Sequence, residues 1–345
     1  MVKSDIEEIL SDRLDWEALG GKTVAVTGAT GMLAAYVAET LLSLNEKLQK
    51  PVKVHAWVRN VAKASARFSR WANDANFFIR EWHPDDQDMG CPGCNIIIHA
   101  ASIPRPDSKR PVDVLVPNII GTRNLLEYAV RACPGFEQFV FFSSGAVYGD
   151  NFMNDELVSE DMYFAIDQTK PQSSYAESKR MGENICVSYA AQHDIAVKIL
   201  RYAHTYGHGM DLENDPRSFV DFVRCAVEGR DIELMSAGDM VRYFCYATDA
   251  TRAFFRVLLA GKSGEVYNIA NEDGRTTILD LAKRIASLSR HPVKVKRSAC
   301  SSANSGYAPQ KYTMHPDTAK LKALGFRPSV SLEEGFRRIL AYYGK

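Results

Sequence analysis

The sequence has no excess of charge of either sign, since 42 Lys and Arg residues balance 42 Asp and Glu residues over 345 positions. A protein built around bulk nucleic-acid binding needs a basic surface, so we expect no nucleic-acid partner. The chain also lacks an apolar run of about 18 residues, and residues 1–21 contain acidic side chains and no apolar signal core. We therefore expect no membrane span and no secretory signal, and we predict a cytoplasmic protein.

Cysteine is sparse and odd in number, with seven residues. An odd count in a chain of this length argues against a disulfide framework and favours a reducing compartment. Cys91 and Cys94 form the only C-x-x-C motif, and no second pair accompanies it. We expect no metal ion and interpret the motif as a turn before a strand, with a metal or redox site as the less favoured alternative.

Apolar stretches alternate with helix-like stretches over the first two hundred residues. Strand-like segments are predicted at 22–27, 52–58, 76–82, 95–101, 138–144 and 196–203, and helices at 31–45, 118–132 and 173–193. Such alternation is typical of an α/β fold, in which helices cover both faces of a parallel sheet. We predict a Rossmann-like, doubly wound parallel sheet with a smaller C-terminal α/β cap that binds substrate.

The domain boundaries follow from where this alternation begins and ends. We predict an N-terminal amphipathic helix in 1–20 and a dinucleotide-binding Rossmann domain in 21–203, to which 240–270 contribute. The substrate-binding domain is predicted to comprise 204–239 and 271–345, and residues 298–310 are predicted to form a mobile loop.

A glycine-rich turn follows the first predicted strand, in the segment TGATGMLA that begins at Thr27. Gly28 allows a tight strand-to-helix turn, Gly31 allows a diphosphate to approach the helix N-terminus, and the small Ala34 allows helix and strand to pack. An ordinary turn is the alternative, but the position after a strand and before a helix favours dinucleotide binding. The predicted cofactor-binding residues here and after the fourth strand are Gly28, Thr30, Gly31, Met32, Leu33, Ala100 and Ala101.

No acidic residue follows the second strand, where an NAD site usually has one for the adenosine ribose. The chain has Arg59 and Asn60 there instead. A guanidinium can hold a 2′-phosphate through two hydrogen bonds, and Lys63 or Arg67 could assist. This favours NADP, with NAD as the alternative.

Tyr175 and Lys179 are four residues apart on a predicted helix and so lie on one face. Hydride transfer between a nicotinamide and a carbinol requires a proton to move on the oxygen, and a nearby ammonium would lower the pKa of a phenol for that task. Ser143 and Ser144 end the fifth strand, where a hydroxyl can bind the reacting oxygen. Asn118 could support the lysine through a water or could only cap its helix.

These segments together resemble the extended short-chain dehydrogenases/reductases, in the NAD-dependent epimerase/dehydratase family that acts on nucleotide sugars. The resemblance implies Tyr175 as acid/base, Lys179 as its partner, Ser144 as the assisting hydroxyl and Arg242 as a clamp on the nucleotide diphosphate. It also implies a homodimer with a four-helix contact. The segments that carry the resemblance are TGATGMLA, IIIHAAS, NIIGTRNLLEYA, FFSSGAVYG, YAESK, LRYAHTYGHGM, VRYFCYATDATRAF, YNIAN and LGFRPSVSLEEGF.

One departure from the family pattern narrows the reaction, and two further departures concern the substrate. Dehydratases and decarboxylases have acidic residues after the strand hydroxyl, whereas this chain has Gly145 and Ala146, which cannot move protons. His204 replaces an asparagine near the sugar diphosphate. The expected late basic residue is matched only poorly by Lys311. The predicted substrate-binding residues are Ser144, Gly145, Tyr175, His204 and Arg242.

We therefore predict an NADP(H)-dependent oxidoreductase that reduces a 4-keto nucleotide sugar. The first alternative is an NAD-dependent nucleotide-sugar 4-epimerase. The second is a non-catalytic dinucleotide sensor, which would have little reason to keep Ser144, Tyr175 and Lys179 together.

Overall fold

A computed structural model describes residues 3–103, 110–149, 156–297 and 314–344. The predicted loop at 298–310 and Lys311 lie outside these ranges. Within them, the chain forms a large parallel sheet covered on both faces by helices, with small strands and further helices in the C-terminal part. The predicted fold class is confirmed.

The large sheet has seven strands, all parallel, in the order β11-β7-β5-β4-β1-β2-β3. Thr27 at the end of β1 is level with Trp57 on one side and His99 on the other, so the carboxyl ends form one edge. The strands are β1 (Thr23–Thr27), β2 (Lys53–Val58), β3 (Phe77–Glu81), β4 (Ile96–His99), β5 (Gln138–Ser144), β7 (Ala196–Tyr202) and β11 (Val266–Ile269).

Short strands outside the large sheet form three small sheets, β12-β10-β8, β13-β9 and β14-β6. Apart from β6 and β10, these strands lie in the ranges predicted for the cap, whereas β10 lies in the range 240–270 predicted to contribute to the Rossmann domain. The strands are β6 (Glu156–Val158), β8 (His204–Tyr206), β9 (Ile232–Leu234), β10 (Val241–Tyr246), β12 (Arg275–Thr277), β13 (Val295–Arg297) and β14 (Met314–Pro316).

Helices cover the sheet in two layers, with α1, α2 and α7 over one apolar core and α4 and α5 over the other. A third core joins α6, α8 and α10 in the cap. No helix in the described ranges is both long and apolar enough to span a bilayer. The helices are α1 (Lys3–Leu10), α2 (Met32–Leu44), α3 (Val61–Arg67), α4 (Val112–Ala132), α5 (Ser174–His193), α6 (Ser218–Glu228), α7 (Ala247–Ala260), α8 (Ile278–Leu288), α9 (Ala319–Ala323) and α10 (Leu332–Tyr343).

The N-terminal segment differs from the single helix that its apolar spacing predicts. α1 ends at Leu10, and a 3-10 turn follows at Trp16–Leu19. Asp12 lies between the two and accepts hydrogen bonds from Arg252 (3.0 Å) and Arg256 (2.9 Å) of α7. These tertiary ion pairs hold the chain outside a helical path at this point.

Helix α4 also begins earlier than predicted, at Val112 rather than near Asn118. Pro117 lies inside it, which explains why the sequence pattern indicates a boundary there. Asn118 is therefore a buried residue of the helix interior and not its cap.

Candidate active site

The turn after β1 has the geometry that a dinucleotide diphosphate requires. Gly28 has φ +63, and a Cβ built on it would lie 2.7 Å from Ala101 Cα, so a side chain is excluded. Gly31 is the N-cap of α2 and offers no side chain to the first helical N–H groups. Those N–H groups can donate hydrogen bonds to an anionic group instead, so the residues fit a dinucleotide phosphate.

The other predicted cofactor residues of this turn lie around the same backbone. Thr30, Met32 and Leu33 are half-buried at the start of α2, and Ala100 and Ala101 are half-buried just after β4. Ala34 is buried, as close packing of α2 on the sheet requires.

The residues after β2 divide into two groups. Arg59, Asn60 and Lys63 are exposed beside the turn, and the Asn60 side chain caps α3 by accepting a hydrogen bond from the Lys63 N–H (2.8 Å). Arg67 instead packs against Gly209, where a Cβ would lie 2.4 Å from its Nη2. Of the three predicted basic residues, Arg67 is thus directed to the C-terminal part.

Ser144 and Tyr175 come together at the carboxyl edge of the sheet, with Ser144 at the end of β5 and Tyr175 in the first turn of α5. The Ser144 hydroxyl is near enough to the phenol to influence its pKa, and its Oγ accepts a hydrogen bond from the Ala146 N–H (3.2 Å). Burial raises the pKa of the Tyr175 phenol above its ordinary value, while the Ser144 hydroxyl and the charge of Arg217 act in the opposite direction. The phenol is therefore held protonated beside a hydroxyl that can share a substrate oxygen.

Lys179 is buried one turn further along α5, and its Nζ donates to the carbonyl of Phe142 (2.6 Å). Burial lowers the pKa of the ammonium to about 8, and Glu183 acts against that shift. The sequence predicts that Lys179 lowers the phenol's pKa, yet the groups that act on Tyr175 here are Ser144 and Arg217. The role of Lys179 as partner stays a prediction.

Ser143 points the other way along β5, because neighbouring side chains of a strand alternate between faces. Its Oγ donates to Glu183, which forms two hydrogen bonds with Arg201, Nη2 to Oε2 at 2.7 Å and Nε to Oε1 at 3.0 Å. Arg201 also donates to the carbonyl of Glu160 (3.0 Å). This buried network lies behind the site, and the sequence motifs did not indicate it because its members come from separate elements.

Asn118 contacts the helix of Tyr175 rather than the lysine. Its Nδ2 donates to Ser178 Oγ (2.9 Å), and Ser178 Oγ donates to the backbone carbonyl of Tyr175 (2.8 Å). Its Oδ1 accepts from the N–H of Ile103 (3.1 Å). Asn118 thus ties α4 to α5 and to the segment after β4.

The predicted substrate residues lie on neighbouring elements. His204 is exposed on β8, with its ring centroid 5.6 Å from that of Phe244, and Arg242 on β10 donates to the carbonyl of Val241 (2.8 Å). Gly145 is packed so closely that a Cβ there would lie 3.1 Å from Met314 Cε.

Arg217 is a residue that the sequence reasoning missed. It precedes α6, is bound to Asp215 through Nε (2.8 Å to Oδ2), and its charge acts on Tyr175. Only the fold brings Arg217 near the phenol of Tyr175, which is 42 positions earlier in the chain. A cation beside the phenol can attract an anionic substrate group.

The cysteines and histidines do not form a second centre in the residues that the structure describes. No group of three or more His, Cys, Asp or Glu side chains there is arranged to hold a metal ion. Cys91 and Cys94 form a turn before β4, with the Cys94 N–H donating to the Cys91 carbonyl (3.2 Å), and both are free thiols.

A short-chain dehydrogenase/reductase is the class of enzyme that fits this arrangement, because a nucleotide turn and a phenol suited to proton transfer open onto one edge of a doubly wound sheet. The comparison with protein families agrees. Residues 24–270 match the model described as NAD dependent epimerase/dehydratase family. The chain therefore belongs to the NAD-dependent epimerase/dehydratase family.

Among curated proteins, the chain is similar to UDP-glucuronic acid decarboxylase 6 of Arabidopsis thaliana. The two are 30% identical over 226 residues, which is 65% of this chain and 62% of the relative's length. The chain thus spans less than two thirds of that relative.

Solved structures of low sequence identity share the fold. The UDP-glucose 4-epimerase of Thermotoga maritima with UDP-glucose has a TM-score of 0.77 at 23% identity, covering 93% of this chain and 98% of that one. The UDP-glucuronic acid 4-epimerase of Bacillus cereus, in complex with UDP-glucuronic acid and NAD, has a TM-score of 0.76 at 22% identity, with the same coverage.

Proposed function

We propose that this protein is an NAD-dependent 4-epimerase of a nucleotide sugar. The observation that carries the proposal is that Ser144 and Tyr175 lie together at the sheet edge, with Gly145 and Ala146 directly after Ser144 in the chain. Neither following residue can move a proton, and the contact of Gly145 with Met314 leaves little room for a longer side chain. Elimination or further proton transfer at the sugar therefore lacks its usual carboxyl group.

The chemistry needs only these residues and the cofactor. Bound NAD supplies the capacity to take a hydride from a sugar carbinol and to return it. As a phenolate, Tyr175 would take the hydroxyl proton when the hydride leaves and give it back when the hydride returns, while Ser144 hydrogen-bonds the same oxygen. Because burial raises the pKa of the phenol, this step requires a nearby positive charge, which we assign to Lys179. Inversion of the carbon would require the oxidised sugar to turn its other face toward the cofactor before the hydride is returned.

NAD is favoured over NADP for this reaction because the hydride is recycled and no external reductant is needed. The Bacillus cereus neighbour binds NAD and UDP-glucuronic acid, which supports a similar pair of ligands here. Arg242 and Arg217 are the residues that we assign to the substrate's anionic groups.

The test is incubation of the purified protein and NAD with UDP-glucose, UDP-galactose and UDP-glucuronic acid, followed by separation of the products. We expect the 4-epimer of at least one sugar, with the mass unchanged. Release of CO2 would indicate decarboxylation, and loss of water would indicate dehydration. Either result without epimer would contradict the proposal. NAD binding without turnover of any sugar would favour the non-catalytic sensor.

A 4-keto reductase that uses NADPH is the second candidate, and Arg59 is the observation that favours it. The guanidinium is exposed directly after β2, without an acidic neighbour at positions 57–60. If Arg59 binds a 2′-phosphate, Arg59→Ala weakens NADPH binding far more than NADH binding. Lys53→Ala, at the other end of the same strand, is the control and should change neither. Equal losses for the two dinucleotides would remove this candidate.

We infer a homodimer from the outer face of α4 and α5. Apolar side chains are exposed there, with Val116 47%, Ile120 38% and Met181 47% accessible. Burying such side chains against a second copy is favourable by roughly 25 cal/mol per Å². Size-exclusion chromatography should give a dimer that Ile120→Asp converts to a monomer, while Met235→Asp in the cap leaves it unchanged. A wild-type monomer would contradict the inference.

A further inference from the structure

His99 lies at the end of β4, fully buried, between the nucleotide turn and helix α4. Its Nδ1 is 2.8 Å from Thr27 Oγ1 and its Nε2 is 3.1 Å from Thr122 Oγ1. We propose that His99 is a positioning residue, which couples the dinucleotide turn to the helix of Tyr175 through one continuous line of hydrogen bonds. This inference rests on the proposed function.

The direction of each hydrogen bond in this line follows from its two ends. The Ala101 N–H donates to Thr27 Oγ1 (3.0 Å), so the Thr27 hydroxyl keeps its single proton for His99 Nδ1. At the other end, Thr122 donates its proton to the carbonyl of Asn118 (2.6 Å), so it accepts from His99 Nε2–H. A neutral imidazole with the proton on Nε2 therefore satisfies every donor and acceptor.

The surroundings of the ring keep it neutral. Burial, with the charge of Lys179 acting in the same sense, lowers the pKa of His99 to about 3. Aromatic rings of Trp82, Phe139 and Phe141 surround it, with centroids 6.2, 6.0 and 5.7 Å away. The imidazole is thus a fixed donor and acceptor and not a proton carrier at physiological pH.

One end of the line acts on the cofactor turn. Thr27 directly precedes Gly28, whose N–H donates to the carbonyl of Trp57 (2.8 Å) and whose Cβ position touches the Ala101 backbone. The Ala101–Thr27 hydrogen bond holds that contact closed. Loss of the Thr27 hydroxyl releases the turn and should weaken dinucleotide binding.

The other end acts on the phenol. The Asn118 carbonyl accepts from Thr122, while its side chain reaches Ser178, which in turn donates to the Tyr175 carbonyl. A shift of Asn118 is therefore transmitted to the backbone of Tyr175. Small displacements of an acid/base residue lower turnover strongly, because proton transfer depends on atomic distance.

Isosteric Thr→Val variants test the two ends separately, and the chain offers a matched control. Thr251 in α7, like Thr122, is a buried helical threonine that donates to the carbonyl four residues earlier (2.7 Å), but no histidine donates to it in the described contacts. Val at either position removes one hydroxyl of equal burial. Only Thr122→Val interrupts the line.

We expect Thr122→Val to lower kcat about tenfold with NAD affinity within about twofold of wild type. Thr122→Ser should restore kcat, and Thr251→Val should keep it. Thr27→Val should raise the Kd for NAD about tenfold and leave kcat at saturating NAD within about twofold. The inference is overturned if Thr122→Val and Thr251→Val have the same kcat, or if Thr27→Val binds NAD as wild type does.

Failure of the proposed function gives a different result. A wild-type protein that binds NAD but converts no sugar would contradict the proposed epimerase activity. The NAD affinities of Thr27→Val and Thr251→Val would still decide for or against the coupling at the turn. A wild-type protein that does not bind NAD would overturn both.

Discussion

Replacement of Asp5 by Asn tests what holds the N-terminal helix to the body of the protein. Asp5 is fully buried and accepts hydrogen bonds on one oxygen from Tyr36 (2.6 Å) and Tyr246 (3.0 Å), with His208 Nδ1 2.8 Å away. Arg338 of α10 donates to the other oxygen (3.2 Å). One carboxylate thus joins α1 to α2, to β10 and to the last helix of the chain.

The expected loss of stability follows from this arrangement. Removing the carboxylate leaves the buried Tyr36 and Tyr246 hydroxyls without their charged acceptor, at about 1–3 kcal/mol for each. Arg338 keeps its pairs with Glu8 and Glu334. The amide of Asn also places a donor against groups that already donate. We therefore expect Asp5→Asn to lower the free energy of unfolding, measured by urea denaturation, by about 3 kcal/mol or more.

The same carboxylate gives the prediction a pH dependence. Burial raises the pKa of Asp5, but the hydrogen bonds from His208 and Tyr36 outweigh it, so the pKa lies below its ordinary value of 3.8. Its stabilisation is therefore present above that value and is lost as the pH falls through the folded-state pKa. Wild type and Asp5→Asn should converge in stability at low pH.

Glu7→Gln on the same helix is the matched control, since Glu7 pairs with Lys3 at 3.6 Å and both side chains are well exposed. Exposed pairs contribute about 0–1 kcal/mol, so this variant should unfold close to wild type. An Asp5→Asn loss no larger than that of Glu7→Gln would refute the reasoning.

Three further predictions concern the site and its support. Gly28→Ala should abolish NAD binding because its Cβ would lie 2.7 Å from Ala101 Cα. The control is Gly264→Ala, which has φ +78 and no atom within 4 Å, and should lose only about 1–2 kcal/mol of stability from its left-handed backbone. Equal NAD affinities of the two variants would count against the turn as the binding site. Because burial lowers the pKa of Lys179 to about 8, the charge of its ammonium is lost as the pH rises through that value, and kcat/KM should fall there. A kcat/KM that stays constant up to about pH 10 would exclude a role for the ammonium. Glu183→Gln should lower the free energy of unfolding by about 3–5 kcal/mol, because Arg201 stays buried without its carboxylate. The control is Glu228→Gln, in the exposed pair with Arg230, which should lower it by about 0–1 kcal/mol. Similar midpoints of urea denaturation for the two variants would contradict the assigned burial of the Glu183–Arg201 pair.

The sequence predicts the strands of the large sheet well for a physical reason. Strands buried on both faces are short apolar runs bounded by polar or glycine residues, as in β1 and β5, and their ends fall within one residue of the prediction. The start of helix α4 is less predictable, because a proline such as Pro117 usually indicates a helix boundary, although α4 continues through it.

The site is predictable where its residues follow one another in the chain. The turn at Gly28 and the spacing of Tyr175 and Lys179 are local patterns, and so is the serine at the end of β5. Arg217 acts on Tyr175 from the segment before α6, and Glu183 of α5 pairs with Arg201 of β7, so no local pattern reveals these contacts. The tautomer of His99 likewise depends on partners from three different segments.

The central claim is that Tyr175 moves the proton while bound NAD exchanges a hydride with a nucleotide sugar. Its most direct test is Tyr175→Phe, assayed for both NAD affinity and turnover of a sugar that the wild type epimerises. The account predicts NAD affinity within about twofold of wild type and a loss of turnover of about 10²–10⁴-fold. Turnover within about tenfold of wild type would contradict it.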